Sequence, residues 1–332
     1  MSDYLVKIEH ERLSFFTPVG EVKALNDVSF SIREGEVLGI VGESGSGKSV
    51  TAYSLMGLTA YPGKLLGGSL DFNGHHINDM TEKEMQRMRG NEVSIIFQDP
   101  MTSLNPVYTV GNQIREVLKL HTNKTKQEIA DRAEELLELV GINEPKKRLK
   151  QYPHELSGGM RQRVMIAIAL ACEPKLLIAD EPTTALDVTI QAQILELMME
   201  LKEKLGMAIM MITHDLGVVA SMCDHIAVMY AGNIVEYGTT DDIFYRPKHE
   251  YTMGLIRSIP RMDSTTHERL VPIEGTPVDL LNPPKGCPFA PRCEKCMRIC
   301  LREKAPAVYF DDIHYSTCWL NTREQMEGGA DQ

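Results

Sequence analysis

The most distinctive chemistry in this 332-residue chain lies in a short glycine-rich segment. Residues 42–49 read Gly-Glu-Ser-Gly-Ser-Gly-Lys-Ser and match the pattern G-x-x-x-x-G-K-[ST] in full. Glycines permit a backbone whose successive N–H groups point at phosphate oxygens, and a following helix adds the positive end of its dipole. The apolar run at 37–41 predicts a strand before the segment, and residues 50–56 predict a helix after it. The sequence therefore predicts a phosphate-binding loop.

The side chains of such a loop divide the binding of a nucleoside triphosphate between them. Lys48 is expected to reach the β- and γ-phosphates, and the Ser49 hydroxyl is expected to ligate Mg²⁺. The residues expected to contact the nucleotide are Gly42, Glu43, Ser44, Gly45, Ser46, Gly47, Lys48, Ser49 and Val50. Together they predict a site for a nucleoside triphosphate with magnesium.

An acidic pair follows another apolar segment farther along the chain. Residues 176–179 predict a buried strand, and Asp180 and Glu181 come directly after it. Ligands bind at the carboxyl ends of strands in open α/β sheets, so both carboxylates are expected at the nucleotide. Asp180 would hold Mg²⁺, directly or through water. Glu181 would act as the general base that polarises the attacking water.

The elements that must position these residues alternate between short apolar runs and helical patterns over about the first 245 residues. This alternation predicts an α/β fold with a mostly parallel core sheet. The predicted strands include 37–41, 93–97, 176–179 and 208–212. Two stripes at helical spacing are expected to face the core: Ile190, Ile194, Leu197, Leu201 and Leu205, and Ile129, Ala133, Leu136 and Val140. Residues from about 100 to 171 hold helical patterns and predict a helical subdomain.

The composition excludes several classes of protein. The chain has 35 Lys and Arg against 46 Asp and Glu, a net charge of −11, with 43% hydrophobic and 24% charged residues. These values are typical of globular domains, and the acidity argues against coating nucleic acid or anionic lipid by bulk charge. The longest apolar run, 164–172, is far shorter than the roughly 20 residues of a membrane span, and no secretory signal is recognisable. A cytoplasmic location without a transmembrane segment is expected.

Between the two nucleotide motifs, the heptapeptide 156–162, Leu-Ser-Gly-Gly-Met-Arg-Gln, closely resembles the signature motif of ATP-binding cassette (ABC) transporter ATPases. Other motifs of that family are matched in order along the chain. They are Phe15, similar to the aromatic residue that stacks on adenine, with Phe16 as the fallback; Gln98, similar to the Q-loop glutamine; Asp187 in Ala185-Leu-Asp187, similar to the D-loop; and His214, similar to the switch histidine.

The resemblance implies an ABC cassette of the P-loop NTPase fold over residues 1–245, with an antiparallel N-terminal sheet beside the core sheet and the helical subdomain. It implies ATP and Mg²⁺ as ligands, with Gln98 assisting Ser49 and Asp180 at the metal. Glu181, His214 and Gln98 would be the catalytic residues. In the family, two cassettes dimerise head to tail, so Ser157, Gly158, Gly159 and Asp187 would meet the nucleotide held by a partner's loop.

The last fifth of the chain is proline-rich and holds five of the seven cysteines. It resembles the C-terminal extension of oligopeptide and dipeptide ABC ATPases and is predicted as a separate metal-binding extension, 246–332. The pattern Cys287-x₅-Cys293-x₆-Cys300-x₁₇-Cys318 offers four thiolates for zinc or an iron–sulfur cluster, and spacing alone does not decide between them. The resemblance favours [4Fe–4S]. Cys296 is either an alternative ligand or a free thiol, and unligated thiols throughout are a further alternative.

The resemblance as a whole implies the ATP-hydrolysing subunit of a bacterial peptide importer at the cytoplasmic side of the membrane. Its expected partners are a second, related ATPase subunit, two transmembrane permeases and an extracellular peptide-binding protein, without direct contact to nucleic acid. Nickel or glutathione is an alternative cargo. A soluble ABC ATPase acting on DNA or ribosomes is a less favoured alternative, because such proteins usually carry a coiled-coil insertion or tandem cassettes. A third alternative is a metal-binding regulatory module whose ATPase core serves only as a switch.

Overall fold

A computed structural model of the chain describes residues 4–99, 103–184, 186–258 and 272–322. Contacts divide the chain into two compact units. The first unit comprises residues 1–31, 38–78 and 213–332, and the second unit comprises residues 32–37 and 79–212. The predicted boundary near residue 246 lies inside the first unit. The proline-rich segment after that boundary therefore belongs to the same unit as the glycine-rich loop.

The regular elements alternate as the sequence predicts. The strands are β1 Val6–Thr17, β2 Gly20–Ile32, β3 Val37–Val41, β4 Gly63–Phe72, β5 His75–His76, β6 Val93–Ile96, β7 Leu176–Asp180, β8 Ala208–Thr213, β9 His225–Tyr230, β10 Asn233–Thr239, β11 Val308–Tyr309 and β12 Tyr315–Ser316. The helices are α1 Lys48–Leu55, α2 Glu82–Met88, α3 Val110–His121, α4 Lys126–Leu139, α5 Pro145–Arg148, α6 Gly158–Ala169, α7 Val188–Leu205, α8 Leu216–Met222, α9 Thr240–Tyr245 and α10 Glu250–Arg257. Among these elements, no described helix has the length and apolar character of a membrane span.

The first unit contains two sets of paired strands. One is a sheet of order β2-β1-β4-β5, in which β4 is antiparallel to both β1 and β5. In the other, β11, β12, β10, β9 and β3 are neighbours in that order. Its pairs are antiparallel except β3 and β9, which run parallel. The predicted antiparallel N-terminal sheet is thus confirmed, and β3 ends at the glycine-rich loop.

The second unit contains parallel strands with helices. Strand β7 lies between β6 and β8 and is parallel to both, and all five of its residues are buried. Strands buried on both faces are typical of parallel sheets, which confirms the α/β prediction. The chain between β6 and β7 forms α3 to α6. Helix α4 begins with a capping box between Thr125 and Glu128 and buries its predicted apolar face.

Strand β1 carries a fully buried carboxyl group, Glu11. The pairing of β1 with β4 shifts register between Glu9 and Arg12, and His10 adopts a left-handed conformation with φ 54°. Such a bulge changes the side of the sheet to which the next side chain points, which brings an acidic residue into the interior. Burial raises the pKa of Glu11 from 4.5 to about 7, and the Ser54 hydroxyl opposes this shift only in part.

Replacing Glu11 by glutamine is expected to stabilise the protein above pH 7. The folded protein holds the Glu11 proton more tightly than the unfolded chain, so the free energy of unfolding falls as the pH rises from about 4.5 to about 7. At pH 8 the ionised group costs about 3 kcal/mol, since one pKa unit corresponds to about 1.4 kcal/mol. Urea unfolding at pH 5 and pH 8 measures this difference. Equal pH dependence in Glu11→Gln, in wild type and in the exposed control Glu9→Gln would contradict it.

Candidate nucleotide site

The glycine-rich loop has a backbone that only glycine accommodates at its first position. Gly42 has φ 154°, and a Cβ atom there would lie 2.1 Å from the carbonyl oxygen of Met229. Gly47, with φ 105°, occupies the N-cap position of α1 and makes no side-chain cap. Because Gly47 has no side chain, it does not cap the first N–H groups of α1. A helix start that binds phosphate needs these N–H groups for the anion.

Lys48 folds back over the same loop. Its Nζ donates hydrogen bonds to the carbonyl oxygens of Gly42, at 2.7 Å, and Glu43, at 3.0 Å, and the residue is only 6% exposed. Ser49 follows in the first turn of α1 and is half-buried, whereas Ser44 and Gly45 are exposed at the tip of the loop. A buried ammonium group beside a helix start makes the loop strongly attractive to an anion.

Two groups from far along the chain hold the second residue of the loop. The backbone N–H of Glu43 donates to the Tyr251 hydroxyl at 2.8 Å, and the Glu43 carboxylate pairs with Arg292. These contacts join residues 208 and 249 positions apart. No local pattern in the sequence indicates them, and both were missed by sequence reasoning.

The two neighbouring phenylalanines at the end of β1 differ in exposure. The Phe15 ring is half-buried and lies against Gly63, where a Cβ atom would approach its Cε1 to 2.8 Å. Phe16 is 43% exposed, and Lys64 Nζ lies 5.6 Å from the centroid of its ring. The more accessible stacking surface is therefore that of Phe16.

In the second unit, the predicted catalytic carboxylate has two hydrogen-bond donors. Glu181 Oε2 accepts from Gln98 Nε2 at 2.7 Å and from Thr184 Oγ1 at 3.0 Å. Its backbone has a positive φ of 48°, and its N–H donates to the carbonyl of Ile212 at 2.8 Å. Asp180, at the end of β7, is 2% exposed. The fold thus brings together Gln98 and Glu181, 83 positions apart, and adds Thr184, which the sequence did not single out.

His214 directly follows β8 and belongs to the first unit. The residue is exposed. Its neighbour Asp215 is held through its backbone and its side chain. The Asp215 N–H donates to Thr213 Oγ1 at 3.0 Å, and the Asp215 carboxylate caps α8 by accepting from the Gly217 N–H. This turn presents the imidazole at the surface of the first unit.

The signature segment begins α6, as predicted for a phosphate-binding helix start. Ser157 is the N-cap, and its hydroxyl accepts from the Met160 N–H at 3.3 Å. Ser157 and Gly158 are exposed. A Cβ atom at Gly159 would lie 2.9 Å from Ile190 Cγ2, so a small residue is needed for α6 to lie this close to α7. The exposed N–H groups form a second helix start able to meet an anion.

Asp187 has a local structural task in this chain. Its carboxylate caps α7 by accepting from the Ile190 N–H at 3.0 Å, and the residue is exposed. Ala185, the first residue of the predicted D-loop, lies outside the described residues. The Asp187 carboxylate therefore already serves the helix through one of its oxygens.

Four of the five clustered cysteines converge on one enclosed cavity of about 20 Å³, about the volume that one water molecule needs. They are Cys287, Cys293, Cys300 and Cys318. The Cys296 thiol instead donates to the carbonyl of Met297 at 3.6 Å and does not line the cavity. Spacing along the chain leaves Cys296 as an alternative ligand; in the fold it lies outside the cavity lining but within hydrogen-bond reach of Cys300.

The thiols around this cavity are poor thiolates without a cation. Burial, reinforced by the neighbouring cysteines, raises the pKa of Cys287 to about 12 and that of Cys293 to about 11. Burial also raises the pKa of Cys318. Sulfur in such a site becomes a strong ligand when a bound metal replaces the protons, so the donor set fits a thiolate-bound metal group.

A compact group of oxygen and nitrogen ligands, Asp242, Asp311 and His314, also lies in the first unit. Its atoms already serve local structure. Asp242 accepts from the Thr239 hydroxyl at 2.6 Å and from Arg246, and Asp311 accepts from two backbone N–H groups. His314 Nε2 lies 3.0 Å from the buried Glu236 carboxylate. We assign this group to packing.

Two sequence families match the chain. The family described as ABC transporter matches residues 25–184, and the family described as oligopeptide/dipeptide transporter, C-terminal region, matches residues 235–300. The chain is 56% identical to the oligopeptide transport ATP-binding protein OppD of Salmonella typhimurium, over 98% of this chain and 96% of that protein. It is 51% identical to the dipeptide transport ATP-binding protein DppD of Bacillus subtilis, over 95% of this chain and 94% of that protein.

Solved structures give the same likeness for the fold. A dimeric ATP-binding cassette in a post-hydrolysis state, bound to ADP and phosphate, aligns with a TM-score of 0.64 and 29% identity, over 71% of this chain and 98% of that one. The cbiO1 protein of Clostridium perfringens, part of an ABC transporter complex, aligns with a TM-score of 0.64 and 31% identity, over 74% of this chain and 92% of that one.

Proposed function

This chain belongs to the family of ABC transporter ATP-binding proteins, and we propose that it powers the uptake of oligopeptides or dipeptides. It is an ATPase that hydrolyses ATP to ADP and phosphate and couples this reaction to transport. The observation that carries the substrate class is the identity of 51–56% with oligopeptide and dipeptide transport proteins over nearly the whole chain. It is supported by a match to the peptide-transporter C-terminal region.

ATP binding is assigned to the glycine-rich loop of residues 42–50. The N–H groups of the loop and of the start of α1 hold the phosphates, with the Lys48 ammonium against the β- and γ-phosphates. Phe15 is proposed to stack on the adenine, with the more exposed Phe16 as the alternative. Ser49 and Asp180, assisted by Gln98, would hold Mg²⁺, which neutralises charge on the phosphates.

Hydrolysis is assigned to Glu181 as the general base. Its carboxylate is oriented by the hydrogen bonds that Oε2 accepts from Gln98 and Thr184, and it would accept a proton from the attacking water. His214 would stabilise the charge that develops on the γ-phosphate by donating a hydrogen bond. One turnover moves a proton from water toward Glu181 while the water oxygen bonds to phosphorus and ADP leaves.

A complete site requires a second ATPase subunit, and a related chain is proposed as that partner. Ser157, Gly158 and Gly159 offer donors at an exposed helix start, which suits a γ-phosphate presented by another chain. Asp187 lies at the start of the next helix, α7. Two transmembrane permeases and an extracellular peptide-binding protein complete the transporter, and this chain lies peripherally on the cytoplasmic side of the membrane.

The cysteine site of the extension, residues 246–332, is proposed to hold a [4Fe–4S] cluster through Cys287, Cys293, Cys300 and Cys318. Zinc is the alternative. The four thiols suit either group, and the resemblance of this segment to the C-terminal extension of peptide-transporter ATPases supports the cluster. Its role is to staple residues 272–318, in which no helix or strand exceeds four residues.

Reconstitution tests the proposed function. The chain, co-expressed with the neighbouring ATPase and permease genes, is expected to co-purify with the permeases. In proteoliposomes with the binding protein, peptides are expected to stimulate ATP hydrolysis severalfold. Stimulation by nickel or glutathione instead of peptides would reassign the cargo, and failure to associate with any permease would overturn the transport function while leaving ATP hydrolysis intact.

A further inference from the structure

The guanidinium group of Arg292 joins the cysteine-rich segment to the phosphate-binding loop. Arg292 Nη1 lies 2.5 Å from Glu43 Oε2, and Nη2 lies 3.0 Å from Glu43 Oε1. The Arg292 side chain is only 4% exposed. The Glu43 side chain is 26% exposed, but the bidentate geometry with a nearly buried arginine fixes both direction and distance, unlike a single ion pair at the surface.

The remaining donors of Arg292 are bound within the same unit. Its Nε donates to the carbonyl of Glu274 at 2.9 Å, and Nη2 also donates to the carbonyl of Ile273 at 3.1 Å. The guanidinium carbon lies 5.9 Å from the ring centroid of Tyr230 and 6.0 Å from that of Phe289. Because these groups already fix the guanidinium plane, the pairing positions the Glu43 carboxylate and not the reverse.

Glu43 is held at its backbone as well. Its N–H donates to the Tyr251 hydroxyl, and its carbonyl oxygen accepts from Lys48 Nζ at 3.0 Å. The same lysine is the group assigned to the phosphates. A shift of Glu43 therefore moves a hydrogen-bond partner of that lysine.

We propose that Arg292 is a positioning residue for ATP binding, through which the cysteine-rich segment holds the phosphate-binding loop in shape. Arg292 precedes Cys293, and Phe289 lies between Cys287 and Cys293 and packs edge-on against Tyr230 at 5.4 Å. Residues 287–293 thus carry two of the cysteines and also the arginine that contacts the phosphate-binding loop. This inference rests on the assignment of ATP to residues 42–50.

The test compares Arg292→Met with Arg298→Met, an exposed arginine of the same segment. Binding of a non-hydrolysable ATP analogue with Mg²⁺ gives Kd, and steady-state hydrolysis gives KM and kcat. Arg292→Met is expected to raise Kd and KM about tenfold or more while kcat changes by less than about threefold. Arg298→Met is expected to match wild type. A merely structural role would instead lower the active fraction, and hence kcat, at unchanged Kd.

Glu43→Gln tests the same link from the loop side and keeps Arg292 in place. It is expected to raise Kd as Arg292→Met does. The Kd of the double variant should be no higher than that of the single variant with the higher Kd, because both changes break one contact. Arg292→Lys is expected to be intermediate, since lysine cannot pair bidentately. Wild-type Kd in Arg292→Met, or multiplied effects in the double variant, would overturn the inference. Failure of wild type to bind the analogue would instead overturn the proposed ATP site.

Discussion

Replacing Glu181 by glutamine is expected to lower the rate of ATP hydrolysis by 10²- to 10⁴-fold, the usual contribution of a positioned general base. Glutamine has the shape of glutamate and can still accept from Gln98 and Thr184 through its amide oxygen. It cannot take a proton from water. ATP binding should be retained, because the proposed phosphate contacts come from residues 42–50. Phosphate release measures the rate, and binding of ATP to the variant measures affinity.

The matched control for this prediction is Glu196→Gln, an exposed glutamate on α7 in the same unit. Its hydrolysis rate should equal that of wild type. Turnover of Glu181→Gln within a few-fold of wild type would remove Glu181 from the role of base. Loss of ATP binding would show that the Glu181 carboxylate contributes to the affinity for ATP, which is a different role from the one assigned.

The hydrogen bond between Gln98 and Glu181 has a consequence for this assignment. Gln98 and Glu181 have separate roles in the family. In this structure Gln98 Nε2 donates a hydrogen bond to Glu181 Oε2 at 2.7 Å. If Gln98 turns toward Mg²⁺ when nucleotide binds, Glu181 loses a donor that stabilises its charge. Sequence motifs name both residues but carry no information about such coupling.

Replacing Cys300 by serine is expected to remove the proposed metal group and destabilise the protein. Cys300 is 8% exposed, lines the cysteine cavity, and its carbonyl accepts from the Cys287 N–H at 2.8 Å. A structural metal site contributes about 10–16 kcal/mol to folding, so loss of the whole group should lower the melting temperature by more than about 10 °C. Elemental analysis, visible absorbance and thermal unfolding measure the outcome.

Cys296→Ser is the control for Cys300→Ser, because it makes the same chemical change four positions away and outside the cavity. It is expected to keep the metal content and melting temperature of wild type. Iron and sulfide in equal amounts, with a brown colour, would support the cluster, whereas a colourless protein loaded with zinc would select the alternative. Equal metal loss in both variants would contradict the four-ligand assignment.

The local motifs were predictable because their function depends on a few consecutive residues. A strand, a glycine-rich turn and a helix start set their own backbone geometry, so the loop at 42–49 and the helix start at Ser157 lie as the sequence predicts. Hydrophobic periodicity likewise located the strands and the buried helix faces, because burial of an apolar stripe is a repeating, local property. The predicted strand ends differ from the observed ones by at most one residue.

The chemical groups of this protein can thus be read from its amino-acid order: a phosphate-binding loop, an acidic strand end, a signature helix and a set of cysteines. Which of these groups meet depends on the folded chain. The fold placed Gln98 on Glu181, left Cys296 outside the cavity of the other four cysteines, buried Glu11 through a bulge, and set Arg292 on Glu43 across 249 residues. Contacts between distant segments depend on how the whole chain packs, and no short run of residues encodes that packing.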